Sequence, residues 1–250
     1  MTKPPVVLLH GFLGTGADWH PLRGALGTER AYLAPTLPGH GAEPAPVPPD
    51  DDDVFLGVVA YLLAHAPTEP FDLVGYSMGG RFALALMAAA PERIRRAVIV
   101  SASPGIEDEG ARAQRRELDR VRAAALRSLP FELWLETWYG MDLFAPLRAS
   151  AAYEPMLARR LEGRPDALAD ALEAFSPGRQ PPLGKPLATC PVRALLMAGS
   201  QDAKYVASNA ALAEANPAFE AATVADAGHA PQLERPDDFH DAVRRWLDQP

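Results

Sequence analysis

The stretch LVGYSMGGR, residues 73–81, places a serine between two glycines. Ser77 follows an apolar run typical of a strand and precedes a run typical of a helix. At such a junction the pattern Gly-x-Ser-x-Gly makes a sharp turn that exposes the serine oxygen, which a neighbouring base can activate. Gly75 and Gly79 allow the surrounding backbone to approach this turn closely. Ser77 is therefore predicted to be a base-activated hydroxyl.

Two later loops supply an acid and a histidine in the order that this arrangement requires. Asp202 in AGSQDAKY follows one predicted strand, and His229 in DAGHAPQLERP follows the next. We expect His229 to take the proton of Ser77, and Asp202 to hold the imidazole in the correct tautomer. The alternative candidates for the acid are Asp226, Glu107 and Asp108.

The sequence HGF at residues 10–12 follows the first predicted strand. Its loop can offer the backbone N–H of Phe12, which together with the N–H of Met78 forms a pair of donors for a developing oxyanion. No Cys/His set has zinc spacing and no glycine-rich phosphate loop occurs, so no metal or cofactor is expected. Cys190 is interpreted as structural, and the run Asp50–Asp53 as the start of a helix.

The elements that must position these residues alternate between strand and helix, which predicts parallel strands with helical crossovers. About six strands are expected, and the first covers Val6–Leu9. The later strands are expected in RAYLAPT, FDLVG, RAVIVSAS, VRALLMAGS and EAATVAD. Helices are predicted for DWHPLRGAL, Asp53–Ala66, Met78–Ala90 and Pro236–Leu247. The carboxyl ends of such strands meet at one sheet edge, where the loops bearing the three candidate residues would converge.

Residues 105–185 interrupt this alternation because they contain several helical runs and no strand run. This pattern predicts a helical cap inserted into a core formed by residues 1–104 and 186–250. The sheet is expected to be mostly or wholly parallel with helices on both faces, since the chain begins shortly before the first strand.

The chain of 250 residues has a formal net charge of −8, a single cysteine and no apolar run long enough to span a bilayer. An acidic surface argues against binding nucleic acid or inserting into an anionic membrane. A cytoplasmic location and a monomer or small homo-oligomer are expected.

Several motifs together carry a resemblance to a known family. LVGYSMGGR, SASPGIEDEGARAQRRELDR, WYGMDLFAPL, GSQDAK and AGHAPQLERP resemble the α/β-hydrolase superfamily and, within it, the 2-succinyl-6-hydroxy-2,4-cyclohexadiene-1-carboxylate (SHCHC) synthases of menaquinone biosynthesis. The resemblance implies an α/β-hydrolase fold and a carbon–oxygen lyase that eliminates pyruvate from a cyclohexene tricarboxylate. It also implies that the triad serine acts as a general base on a ring proton.

The same resemblance implies a set of residues that bind a small polyanionic substrate. Arg81 lies one helical turn beyond Ser77, so it can face the same pocket, and forked Arg donors suit carboxylates. The residues carried over from the family are Tyr76, Arg81, Arg115, Trp138, Arg159 and Lys204. One departure is Thr36, which stands before LPGHG where many relatives have Asp; a structural difference is expected there.

Two other functions use the same motifs. A carboxylesterase or thioesterase would use Ser77 as a nucleophile that forms an acyl-enzyme. A ligand receptor could retain the fold and pocket without turnover. Arginines in the cap favour the lyase, because a pocket for neutral acyl chains would be lined by apolar groups.

Overall fold

The computed structural model of the chain describes residues 3–48 and 54–249. The predicted apolar runs form a six-stranded sheet in the order β2-β1-β3-β4-β5-β6, and every neighbouring pair is parallel. The prediction of a mostly or wholly parallel sheet of about six strands is therefore confirmed. The strands are β1 (Val6–Leu9), β2 (Tyr32–Leu33), β3 (Phe71–Tyr76), β4 (Ile94–Val100), β5 (Arg193–Gly199) and β6 (Phe219–Val224).

Helices connect the strands and fill the segment between β4 and β5. They are α1 (His20–Leu26), α2 (Val54–His65), α3 (Met78–Ala89), α4 (Glu109–Ser128), α5 (Phe131–Tyr139), α6 (Ala145–Arg148), α7 (Tyr153–Arg160), α8 (Pro165–Ala174), α9 (Gly184–Ala188), α10 (Ala203–Ala215), α11 (Pro231–Glu234) and α12 (Pro236–Leu247). Short 3₁₀ helices cover Gly16–Trp19, Pro91–Arg93 and Asp142–Phe144. Helix α10 was not predicted from the sequence, and the run Asp50–Asp53 lies outside the described residues.

Both faces of the sheet are covered by helices, as parallel sheets require. Alternate side chains of β1 point to opposite faces, because side chains in a strand have a period of two. Val7 and Leu9 join one apolar core with residues of α2 and α3, whereas Val6 and Leu8 join a second core with residues of α1 and α12. The sheet therefore forms a rigid platform whose loops carry the candidate residues.

Residues 101–192, between β4 and β5, contain helices and no strand. Their apolar side chains form a third core, which includes Leu135 and Leu168 and also contacts Leu13 and Ala230 from loops of the sheet. The helices between β4 and β5 therefore pack over the strand ends that carry the candidate residues. The division of the chain into a core and a cap at residues 105 and 185 remains a prediction.

Within residues 3–48 and 54–249, no helix combines the length and the apolar character that crossing a membrane requires.

Candidate active site

Ser77 occupies the tight turn between β3 and α3. Its φ of 50° and ψ of −110° lie in a strained region for a residue with a side chain. A Cβ atom at Gly75 would lie 2.6 Å from the Gly79 carbonyl oxygen, and one at Gly79 would lie 2.3 Å from the Leu9 carbonyl oxygen. The Ser77 N–H donates to the Val100 carbonyl oxygen at 2.8 Å, which ties the turn to β4. The two glycines therefore allow the close packing that holds the serine in its strained conformation.

The predicted triad residues lie within hydrogen-bonding distance of one another. The His229 Nε2 atom is 3.2 Å from the Ser77 hydroxyl oxygen, and the His229 Nδ1 atom is 2.7 Å from a carboxylate oxygen of Asp202. Both His229 and Asp202 are buried. If Nδ1 carries the proton and donates it to Asp202, the Nε2 lone pair faces the Ser77 hydroxyl. This is the arrangement that a general base needs.

The other candidate acids lie elsewhere. Asp226 is exposed, and its backbone N–H donates to the Ser200 hydroxyl. Asp108 caps α4 by accepting a hydrogen bond from the Ala111 N–H at 2.7 Å. Glu107 is exposed at the start of the segment before α4.

The backbone donors predicted for the oxyanion lie at two element ends. Phe12 follows β1, and Met78 is the first residue of α3, so its N–H has no acceptor within the helix. Both residues line the cavity that contains Ser77. The helix N-terminus adds a partial positive charge at this position, which favours a negative oxygen.

Two buried histidines support the loop that carries Phe12. The His10 Nδ1–H donates to the Gly11 carbonyl oxygen at 2.8 Å, and the Leu37 N–H donates to His10 Nε2 at 2.9 Å. His40 lies edge-on to His10, with 5.1 Å between ring centroids, and contacts the Phe12 ring. Burial lowers the pKa of His10 to about 4 and that of His40 to about 3, so both are neutral at neutral pH.

A cavity of about 250 Å³ opens beside Ser77 and His229, between the sheet and the helices that follow β4. Four cationic side chains line it, and none of its described lining residues is a carboxylate. The cations are Arg81, Arg115, Arg122 and Lys204. In a chain with a net charge of −8, this cavity therefore concentrates positive charge beside the candidate catalytic hydroxyl.

Arg81 lines this cavity and is buried. Its guanidinium donates to the Phe175 carbonyl oxygen at 2.6 Å and to the Gln180 side chain at 3.3 Å. Burial and the positive charge of Arg115 lower the pKa of Arg81 to about 10, so the group remains charged at neutral pH. A bound anion would offset both effects, because it would supply the missing counter-charge.

Arg115, Lys204 and Trp138 also line the cavity. Burial and the charge of Arg115 lower the pKa of Lys204. The Trp138 ring is stacked on the Trp134 ring, with 5.1 Å between their centroids. Trp138 also contacts the Phe12 ring, and both residues line the cavity. Cationic and aromatic groups thus face the same space.

Tyr76 lines a second, smaller cavity, which Ser77 also lines. Its ring contacts the His229 ring at a centroid distance of 5.6 Å, and Tyr205 contacts His229 from another side at 5.0 Å. The two tyrosines therefore pack against the imidazole that the triad uses.

The family resemblance implies that Arg159 binds substrate, but the structure places it in the lining of neither of the two cavities that the described residues form beside Ser77. Its side chain is 43% exposed. It donates to the Pro155 carbonyl oxygen one turn earlier on α7, and its Nε lies 3.6 Å from an Asp18 carboxylate oxygen. The next residue, Arg160, turns inward instead and forms two hydrogen bonds with Asp18, at 3.1 and 2.7 Å. Both arginines therefore approach Asp18, but only Arg160 is buried, because successive helix residues point in different directions.

Arg122 and Tyr205 were not identified from the sequence, although both line the main cavity. The available signal for Arg122 was its position seven residues after Arg115 on one helix, which places both on the same face. Tyr205 lies in the first turn of α10, three residues after Asp202, and only the tertiary structure shows its contact with His229.

Two further positions make structural contacts. Cys190 is buried, and its thiol donates to the Met87 carbonyl oxygen at 3.4 Å. The Thr36 hydroxyl accepts from the Gly16 N–H at 3.3 Å, which is a local loop contact. In the part of the chain that the structure describes, no group of three His, Cys, Asp or Glu side chains is arranged to hold a metal ion.

The strand–serine–helix turn, the parallel sheet and the helices over its strand ends define a class of protein. A family model described as the alpha/beta hydrolase family matches residues 6–242. The chain therefore belongs to the α/β-hydrolase family, as its motifs predicted.

Individual proteins of known name are also similar to this chain. The 2-succinyl-6-hydroxy-2,4-cyclohexadiene-1-carboxylate synthase of Serratia proteamaculans is 32% identical over 251 residues, which cover 99% of this chain and 94% of that protein. The chloroplastic protein PHYLLO of Arabidopsis thaliana is 30% identical over 258 residues, and the chain spans 15% of its length.

Solved structures are also similar to this chain over nearly its whole length. The structure of MenH from S. aureus aligns with a TM-score of 0.89 and 27% identity, covering 99% of this chain and 94% of that one. The enol-lactonase from Burkholderia xenovorans LB400 aligns with a TM-score of 0.80 at 22% identity, with coverage of 100% and 93%, and shares the fold.

Proposed function

We propose that this enzyme eliminates pyruvate from 2-succinyl-5-enolpyruvyl-6-hydroxy-3-cyclohexene-1-carboxylate to give SHCHC, a step of menaquinone biosynthesis. The observation that carries the proposal is the cavity beside Ser77, which has four cationic side chains and no carboxylate among its described lining residues. The synthases among its relatives support the same reaction.

The charge of the cavity suits this substrate. The substrate bears three carboxylates, on the ring, on the succinyl chain and on the enolpyruvyl group. Each hydrogen bond from a charged donor to a carboxylate contributes about 1.5–3 kcal/mol when partly buried. A neutral acyl ester would leave the desolvated guanidinium of Arg81 without a counter-charge, so the cavity favours an anionic substrate over a neutral one.

The triad supplies the base. His229 takes the proton of the Ser77 hydroxyl, and the serine oxygen removes the ring proton α to the succinyl carbonyl. Asp202 stabilises the imidazolium that forms, since it accepts a hydrogen bond from Nδ1–H. The negative charge that develops on the carbonyl oxygen is stabilised by the backbone N–H groups of Phe12 and Met78.

Elimination then follows with balanced bonds. The electrons of the broken C2–H bond form the C2=C3 double bond, and those of the former C3=C4 bond form the C4=C5 double bond. The C5–O bond breaks, and the leaving enolate of pyruvate takes the proton that the His229 imidazolium received from Ser77, so the triad returns to its starting protonation. The product is the 2,4-diene, and Ser77 forms no covalent bond to carbon at any step.

The test is pyruvate release from the purified substrate by wild-type protein and by Ser77→Ala. We expect rapid release by the wild type and a loss of about 10²- to 10⁴-fold in the variant, because the base is removed. Ser128→Ala is the matched control, since Ser128 is exposed on α4 and should leave the rate unchanged. Hydrolysis of simple carboxylic esters without pyruvate release would instead support an esterase with the same triad.

A further inference from the structure

Helix α4 carries a charged cluster whose arrangement goes beyond the residues that the sequence motifs assign. Arg115, Asp119 and Arg122 are spaced four and three residues apart, so all three lie on one face of the helix. Arg115 Nε donates to an Asp119 oxygen at 2.7 Å, and Arg122 Nη1 approaches the other oxygen at 3.3 Å. A single carboxylate therefore serves two guanidinium groups that both line the cavity.

The Asp119 side chain is buried and is held by a further hydrogen bond. It has no exposed surface, and it accepts a hydrogen bond from the Ser176 hydroxyl at 2.8 Å. The Ser176 oxygen in turn accepts from the Gly178 N–H at 3.1 Å. Since both carboxylate oxygens are engaged, the carboxylate cannot rotate without breaking several hydrogen bonds. Its orientation fixes the orientation of both arginines.

The two arginines keep donors available for a ligand. Arg115 uses Nε with Asp119, and the described residues provide no hydrogen-bond acceptor for its two terminal nitrogens. Arg122 Nη2 contacts only the Met141 sulfur at 3.6 Å, which is a weak acceptor. The Arg122 guanidinium also lies over the Trp138 ring, 5.6 Å from its centroid. This contact holds the group at the cavity wall.

A neighbouring pair on the same helix has the opposite arrangement. Arg120 forms two hydrogen bonds with Glu117, at 2.8 and 2.7 Å, and both side chains are 60% exposed. The opposite charges of that pair cancel, and the pair faces solvent. The cluster around Asp119 instead leaves one positive charge in excess, and it faces the cavity beside Ser77.

We infer that Arg122 is a second carboxylate-binding residue of this helix, beside Arg115, and that Asp119 is the positioning residue that presents both arginines to the ligand. The inference deepens the proposed function and rests on it for the class of ligand, an organic molecule with two or more carboxylates. Arg122 is the residue that makes the site bind a second carboxylate of such a ligand.

The test measures binding without turnover. Benzene-1,2-dicarboxylate and benzoate are titrated by calorimetry into the wild type and into Arg122→Met, Arg122→Lys and Arg120→Met. We expect Arg122→Met to raise the Kd of the dicarboxylate about tenfold or more, equivalent to about 1.4 kcal/mol. Benzoate should be affected less, Arg122→Lys should lose part of the affinity because it lacks the planar fork, and Arg120→Met should bind as the wild type does.

The role of Asp119 is tested by a mutant cycle. Asp119→Asn should weaken dicarboxylate binding in the wild-type background and have no further effect when Arg115 and Arg122 are both methionine. Unchanged dicarboxylate affinity in a folded Arg122→Met variant would overturn the inference, as would an equal effect of Asp119→Asn in both backgrounds. Because the readout is binding, a failure to release pyruvate would refute the proposed function and leave this result standing.

Discussion

Lowering the pH from about 7 to about 5 should destabilise the fold through His10 and His40, which support the loop that carries Phe12, one of the two predicted oxyanion donors. Both nitrogens of His10 are engaged, since Nδ1–H donates to Gly11 and Nε2 accepts from the Leu37 N–H. A second proton, on Nε2, would therefore point at the Leu37 N–H group, which is also a donor. His40 is fully buried, and its Nδ1–H donates to the Pro38 carbonyl oxygen at 2.9 Å.

The size of the effect follows from the pKa values. Burial lowers the pKa of His10 to about 4 and that of His40 to about 3, whereas an unfolded histidine has a pKa of about 6.5. Between these values the unfolded chain binds more protons than the folded chain, so stability rises with pH. The stabilisation is complete above about pH 6.5 and is lost as the pH falls toward about 4. At about pH 5 each histidine should cost about 2 kcal/mol.

The assay is urea unfolding at both pH values, for the wild type, His10→Gln and the control His65→Gln, whose histidine is exposed at the end of α2. We expect the decrease in unfolding free energy between pH 7 and 5 to shrink by about 2 kcal/mol in His10→Gln and to stay unchanged in His65→Gln. Because each variant is compared with itself at two pH values, a general loss of stability cancels. Equal decreases in all three proteins would refute the reasoning.

Two further substitutions test the triad and its turn. Asp202→Asn should lower kcat/KM for pyruvate release on the order of 10³- to 10⁴-fold, because the imidazole loses its tautomer and its counter-charge, and exposed Asp226→Asn should not; steady-state kinetics would show whether the two variants differ. Gly79→Ala should cost about 1–3 kcal/mol of unfolding free energy in urea, since its Cβ would lie 2.3 Å from the Leu9 carbonyl oxygen. Gly57→Ala, where a Cβ meets no atom within 4 Å, should be neutral or stabilising, and a similar loss in both would contradict the packing argument.

The parallel sheet and the convergence of Ser77, Asp202 and His229 could be predicted from the sequence for a physical reason. Ser77, Asp202 and His229 each follow a predicted strand, and the carboxyl ends of parallel strands meet at one edge. Chain order alone therefore brought the loops together. The local chemistry of the Ser77 turn was also visible, because only glycine fits its flanking positions.

The orientation of helical side chains could not be predicted in the same way. Arg159 and Arg160 are adjacent and chemically identical, and the rotation of α7 against Asp18 decides which one is buried. Helix α4 is rich in arginine, so its pattern did not distinguish Arg122 from the solvent-facing Arg120. The distinguishing signal was the Arg–Asp–Arg spacing around Asp119, whose importance depends on its burial against Ser176.

The most direct test of the proposed role of Ser77 is a single-turnover experiment in which enzyme in excess is mixed with the cyclohexene tricarboxylate. Samples quenched over time are analysed for pyruvate and for the intact mass of the protein. A serine that acts as a base predicts that pyruvate forms while the protein mass never changes. A covalent adduct on Ser77 that forms and decays at the rate of turnover would contradict it.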